Sequence, residues 1–328
     1  MDIEIPFYEE YKGRIKCKIC PHQCIIAEDK FGICRVRTVK ANKPFAVNYG
    51  EVTSIAVDPI EKKPLYHFKP SRDILSIGSF GCNMTCRFCQ NYEISQGKPE
   101  TQYLNIEKLI DIIKNVENNA GVAFTYNEPF MWYEYMYDAA KSIKKNNEDT
   151  SVVVVTNGYI NEEPLKKLLP YMDAMNIDLK AYTNRYYNSI CGAKLEPVLE
   201  TIKRCDKHCH VEITTLLVSD ENDSLEEARQ IAEFIASINE NIPLHLSRYF
   251  PRYKMENEAT KIENIMEAKR VAEKYLKYVY VGNIGGVDNN TYCPRCNELL
   301  VERNGYVTNV FINENRCRKC GEEINIVL

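Results

Sequence analysis

The chain has 328 residues, of which 45% are hydrophobic, and a net charge of −4 at pH 7. That length exceeds one small domain but can be filled largely by a single α/β barrel, and the apolar share is enough for a sizeable core. The mildly acidic balance excludes a general attraction to nucleic acid or an anionic membrane. The absence of a membrane-spanning apolar run or an export-type start leads to the expectation of a cytoplasmic protein.

Fourteen cysteines need a reason. Secreted disulfide frameworks are usually short, so in this chain the spacings read as metal sites, which a reducing and low-oxygen interior would protect. The first twelve residues show no clear period. Cys17, Cys20, Cys24 and Cys34 then follow with gaps of two, three and nine residues. Four thiolates this close can close a tetrahedral site, and a metal would supply folding energy that a short apolar complement cannot. Zinc is the first reading here and a second iron–sulfur cluster the alternative. His22 reads as a loop histidine beside Pro21, with replacement of one cysteine ligand as the alternative. Residues 35–73 are expected as short β segments, including 46–50 and 52–57, with a proline-bounded loop from Asp58 to His67.

An apolar strand over Ile74–Ile77 leads into Gly78 and Gly81, and then Cys82, Cys86 and Cys89 follow with gaps of three and two. Three soft thiolates on one short loop suit an iron–sulfur cluster and leave one iron of a [4Fe–4S] cube open. A structural zinc site needs a fourth ligand, and the next cysteine is Cys191. From here apolar strands are expected at 122–126, 152–156, 174–179, 211–218, 244–246 and 278–281. Helices are expected at 107–116, 225–238 and 260–275. Alternating strands and helices imply a parallel sheet buried on both faces, with chemistry at the C-terminal strand ends. Polar residues gather at those ends: Asn127 and Glu128, Thr156 and Asn157, Asp178 and Lys180, His245, and Gly282-Asn283-Ile284. Helix capping alone accounts for many such residues, but their joint appearance downstream of the cysteine loop argues for one shared site.

Residues 289–328 read as a separate unit. Cys293 and Cys296, then Cys317 and Cys320, form two C-x2-C pairs of zinc-ribbon type, with a rubredoxin-like iron site as the alternative. Its balanced charge argues against nucleic-acid binding. Cys205, His208, Cys209 and His210 resemble a metal box but fall where a helix gives way to a strand, and Cys191 reads as a packing thiol.

The C-x3-C-x2-C loop after a strand resembles the signature of the radical S-adenosylmethionine (SAM) superfamily. With the Cys17–Cys34 pattern, the stretch 57–65, Thr125-Tyr126-Asn127-Glu128-Pro129, the stretch 191–199 and the terminal ribbon, nearly the whole chain resembles the radical SAM enzymes of the AmmeMemoRadiSam system. These are related to pyruvate formate-lyase activating enzyme. The resemblance implies a partial (β/α)6 TIM-like barrel over residues 74–288, preceded by a four-cysteine, β-rich region (1–73) and followed by the ribbon (289–328). It implies an open iron that chelates SAM and donates the electron that cleaves it to methionine and a 5′-deoxyadenosyl radical. An electron donor such as ferredoxin or flavodoxin is implied, and two structural zinc sites are expected. By the same analogy Asn127 and Glu128 would meet the SAM amino group, Thr156 and Asn157 the ribose and sulfonium side, and Asp178 and Lys180 would lie beside SAM. His245 would lie near the ribose, Phe88 and Gly282-Asn283-Ile284 near the adenine. The substrate is left open: a protein or peptide, including a partner of the same system, a glycyl-radical enzyme, or a small metabolite. A non-enzymatic metal scaffold is the competing class.

Overall fold

A computed structural model describes residues 3–312 and 314–328. Its centre is an eight-stranded sheet. The strands, in chain order, are β1 (Ser54–Pro59), β2 (Asp73–Gly78), β3 (Asn119–Phe124), β4 (Ser151–Thr156), β5 (Ala174–Asp178), β6 (His210–Leu217), β7 (Leu244–Arg248) and β8 (Val279–Gly282). Their spatial order is the order of the chain, from β1 at one edge to β8 at the other. All neighbours are parallel except β1, which runs antiparallel to β2. Parallel neighbours need crossovers. The crossover helices are α1 (Ile106–Asn115), α2 (Tyr133–Asn146), α3 (Glu162–Leu168), α4 (Glu196–Cys205), α5 (Leu225–Ile238) and α6 (Ile262–Ala272).

The local sequence explains the helices that periodicity marks. Asn105 caps α1 by accepting from Lys108 N, and Ser224 caps α5 by accepting from Glu227 N. Leu109 and Ile113 bury one face of α1, and Ala228, Ile231, Ala232 and Ile235 one face of α5. The central parallel strands β3, β4 and β5 are buried along nearly their whole length, as a sheet covered on both faces requires.

The lumen below the strand ends is filled rather than open. Ile60, Leu65 and Phe68, from the proline-bounded segment after β1, pack there with Ala123, Val153, Ala174 and the C-terminal Val327. The terminal unit, a three-stranded antiparallel sheet of Thr291–Tyr292, Leu299–Asn304 and Val307–Val310, docks on the same segment. Arg303 donates to Tyr66 O at 2.6 Å and lies over the Tyr66 ring.

His67 is the buried joint of this docking. It is fully buried, with Nδ1 2.8 Å from Asn325 O and Nε2 2.6 Å from the Tyr280 hydroxyl. A neutral ring donates through Nδ1 and accepts at Nε2, so a proton is unwelcome, and burial lowers its pKa to about 3. The unfolded chain protonates near pH 6.5. The neutral ring's contribution is therefore complete above pH 6.5 and is lost as pH falls toward 3, in total on the order of 5 kcal/mol. Urea unfolding at pH 7 and pH 4.5 should show this acid loss, and His67→Gln should flatten it.

Candidate active site and metal centres

After β2 ends at Gly78, the chain forms the loop carrying Cys82, Cys86 and Cys89 at the C-terminal edge of the sheet. Neighbouring strand ends brace it. Asn127 Nδ2 donates to Gly81 O at 2.9 Å, while its Oδ1 accepts from Ser79 N at 3.2 Å. Asn91 Nδ2 donates to Tyr126 O at 2.6 Å. From the other side, Thr85 N and Arg87 N donate to Cys191 O and Ile190 O. Gly192, with φ +67°, packs so closely on Thr85 that a Cβ would collide with Thr85 Oγ1.

Glu128 is the polar hub beneath the loop. It is 1% exposed. Its Oε1 accepts from Thr156 Oγ1 at 2.7 Å and Phe130 N at 3.0 Å, and its Oε2 accepts from Asn157 N at 2.8 Å. Burial pushes its carboxyl up to about 7 against the pull of these donors. Asn157 in turn donates through Nδ2 to Asn83 Oδ1 at 2.9 Å and lies 3.7 Å from Cys82 Sγ. Thr156, Asn157 and Glu128 thus form one chain of hydrogen bonds ending on a cysteine of the loop.

Asp178 and Lys180 close the opposite side. Lys180 Nζ is 2.9 Å from Asp178 Oδ2 and 5.7 Å from the centroid of the Phe88 ring. Burial opposes its charge, but Asp178 and the nearby sulfurs of Cys86 and Cys191 outweigh it and leave the ammonium well above the ordinary lysine value. Burial also pushes the Cys82 and Cys89 thiols up, whereas Cys86 is held down chiefly by a hydrogen bond from Cys191. The Cys191 thiol therefore packs in the core and also touches the loop.

The structure brings Phe88, Asn127, Glu128, Thr156, Asn157, Asp178 and Lys180 around the loop. It places His245 elsewhere: Nε2 is 2.6 Å from Glu212 Oε2, and the ring packs against Tyr66 and Tyr280 in the network that receives the terminal unit. Gly282, Asn283 and Ile284 lie at the end of the edge strand β8, where Asn283 donates to Arg248 O at 3.0 Å. Sequence reasoning missed Asn83, which is fully buried. It donates to Tyr159 O at 2.6 Å, accepts from Asn157, and presents its carbonyl to His22 Nε2 at 2.7 Å. Only its place between Cys82 and Cys86 marked it. His208, Cys205 and His210 disperse to Arg204 O, Met175 and Glu212, so no shared centre forms there.

The four-cysteine groups differ in geometry. Cys293, Cys296, Cys317 and Cys320 hold their sulfurs within 4.8 Å of one another, with Cys293–Cys320 and Cys296–Cys317 both at 3.6 Å. A tetrahedral ion with metal–sulfur bonds of about 2.3 Å sets its sulfurs about 3.8 Å apart, so this group fits one ion. Among the described residues no three sulfurs of Cys82, Cys86 and Cys89, or of Cys17, Cys20, Cys24 and Cys34, converge in this way. For the loop, that wider spread and the soft donor set fit a cluster rather than a single ion.

Gly81 sets the approach of the loop to the N-terminal region. Its φ is +87°, and a Cβ would lie 2.5 Å from Val36 Cγ1 and 2.7 Å from Cys34 O. Gly81→Ala should therefore lower stability by at least about 1–2 kcal/mol from the left-handed backbone alone. It should also reduce bound iron, measurable by anaerobic denaturation together with metal analysis.

Comparison with known proteins agrees with this geometry. The profile of the Radical SAM superfamily matches residues 76–235. An uncharacterized protein of Methanocaldococcus jannaschii is 42% identical over 99% of both chains. The pyruvate formate-lyase-activating enzyme of Clostridium pasteurianum is 25% identical over 60% of this chain and 87% of its own. The fold is similar to the crystal structure of a radical SAM methyltransferase from Sphaerobacter thermophilus, with a TM-score of 0.54 and 16% identity over 70% of this chain and 71% of that one. A three-cysteine loop at the C-terminal edge of a parallel barrel sheet, inside a matching profile, makes this chain an enzyme that belongs to the radical SAM superfamily.

Proposed function

We propose that the protein reductively cleaves SAM at a [4Fe–4S] cluster held by Cys82, Cys86 and Cys89 and abstracts hydrogen from a protein or peptide substrate. The observation that carries this reading is the three-cysteine loop braced by Asn127, Asn157 and the Cys191 carbonyl, with the buried Glu128 carboxyl beneath it and the Lys180 ammonium beside it. When bound, the cluster supplies the electron that splits the sulfonium. The chain's own residues do the rest. Asn127 fixes the loop, Glu128 and Thr156 fix Asn157 against Cys82, and Asp178 with Lys180 offers paired charges for the carboxylate and ammonium of SAM.

The filled lower lumen supports a substrate that approaches over the cluster face, since Ile60, Leu65, Phe68 and Val327 occupy the other end. The activating-enzyme relative supports a macromolecular substrate, a glycyl-radical enzyme being one such case. A ferredoxin or flavodoxin is the proposed reductant, and zinc is the proposed ion of the C-terminal four-cysteine centre. The test is anaerobic reconstitution followed by dithionite reduction with SAM. Production of 5′-deoxyadenosine, stimulated by the protein fraction of a native extract and not by its small-pore filtrate, is the expected result. Stimulation by the filtrate alone would replace the macromolecular substrate with a metabolite.

A further inference from the structure

We propose that Cys17, Cys20, Cys24 and Cys34 hold a second iron–sulfur cluster, closed by four thiolates, rather than the zinc ion that spacing alone favours. Three observations on the N-terminal region carry this.

The first is sulfur spread. The four cysteines line one cavity with Ile19, Ile26 and Ile33 around it, about 290 Å³ of atom-free space including its opening to solvent. No three of their sulfurs lie within 4.8 Å of one another, although the C-terminal four do so in the same structure. One ion with bonds of about 2.3 Å cannot bridge sulfurs that stay this far apart. A cluster places irons and sulfides between its thiolates and needs a wider spread, a spacing these four cysteines share with the loop of Cys82, Cys86 and Cys89.

The second is Arg37, which also lines the cavity and is 1% exposed. Its Nη1 is paired with Glu134 at 2.6 Å and its Nη2 donates to Met131 O, but its Nε has no partner. A buried, charged N–H donor left over beside four cysteines requires an acceptor. A cluster sulfide or a ligating thiolate supplies one, and such hydrogen bonds to sulfur tune cluster potentials.

The third is contact with the radical SAM loop. Cys34 O packs against Gly81, the residue before Cys82, and His22, between Cys20 and Cys24, reaches Asn83 O at 2.7 Å. His22 Nε2 ties this region to the loop, and the four cysteines by themselves complete a ligand set. The closed coordination leaves no iron for SAM, so this cluster carries electrons or charge and does no chemistry on the nucleotide. Its neighbourhood with the loop makes magnetic coupling between the two clusters the expected signature.

The experiment is metal and acid-labile sulfide analysis of anaerobically prepared protein in which Cys82, Cys86 and Cys89 are all replaced by serine. The variant should keep iron and sulfide, with about one zinc per chain from the C-terminal centre. Adding Cys17→Ser and Cys34→Ser should remove the sulfide. A folded triple variant with no sulfide and about two zinc ions per chain would overturn the proposal. Intact protein gives an answer that does not depend on variant folding. In dithionite-reduced wild type, SAM should perturb only part of the paramagnetic signal, and the spectrum should show coupled spins. A single cluster population that responds entirely to SAM would overturn the proposal. Sulfide retained by the triple variant in a protein that never responds to SAM would uphold this site and defeat the function proposed above.

Discussion

Cys82→Ser, Cys86→Ser and Cys89→Ser, together or singly, should reduce 5′-deoxyadenosine formation to the level of a protein-free control. Each thiolate is one of only three on the loop, so losing any one leaves two protein ligands for a cube that already keeps one iron open. The effect should be all-or-none rather than graded, because the three thiolates together would hold the cluster that supplies the cleaving electron. Cys191 gives the informative contrast. It lies fully buried and hydrogen-bonded to Cys86. Cys191→Ser keeps a hydroxyl donor at that position and should retain cleavage while shifting the cluster's midpoint potential. Cys191→Ala removes the donor and should shift it further. Deoxyadenosine yield with SAM and dithionite, read beside a potentiometric titration, separates ligand from neighbour. Full activity in Cys86→Ser, or complete loss in Cys191→Ser, would assign the third ligand to Cys191 instead.

The sheet was legible because its strands are buried on both faces and therefore read as unbroken apolar runs. Every run from Ile74 onward became a strand within three residues of its expected bounds. Helix α2 was not legible. Its buried residues include Tyr133, Tyr135 and Glu134, so the inward face is not marked by aliphatic spacing, and Glu134 is buried only because Arg37, 97 residues earlier, meets it. Lone polar strand ends also mislead. Thr156 and Asn157 turn toward the cysteine loop, while His245 turns toward Glu212 and the terminal unit, and nothing local distinguishes them. The difference is made by Glu212, which collects Tyr66 N, His67 N, His210 and His245 on two oxygens, a convergence of distant segments. Cysteine spacing marked both outer four-cysteine groups, of which the structure brings the C-terminal four sulfurs together. C-x2-C pairs are compatible with an ion or a cluster, and the choice rests on how far apart the fold holds the sulfurs.

Glu128→Ala should cost the second-largest share of activity and a measurable share of stability, for one reason. Three donors, Thr156 Oγ1, Asn157 N and Phe130 N, point at one buried carboxyl. Removing it leaves buried donors unsatisfied at about 1–3 kcal/mol each, reduced wherever the site relaxes. Asn157 loses the anchor that aims its side chain at Cys82 and Asn83, so SAM cleavage should fall about 10- to 100-fold, the usual scale for a partner that orients a metal ligand. The pH dependence identifies the group. Its folded pKa of about 7 stands above the ordinary carboxylate value. Between pH 4.5 and 7 the folded protein thus keeps a proton that the unfolded chain has released. Stability from this group is fullest below pH 4.5, declines as pH rises to 7, and is flat beyond, a total of about 3 kcal/mol. Glu128→Gln cannot titrate and should lose that slope while keeping the shape of the side chain. Anaerobic urea unfolding of wild type and Glu128→Gln at pH 5 and pH 8 measures it. The wild type should lose more stability between the two than the variant does, and equal losses would show that the Glu128 carboxyl is ionised throughout, held so by its three donors.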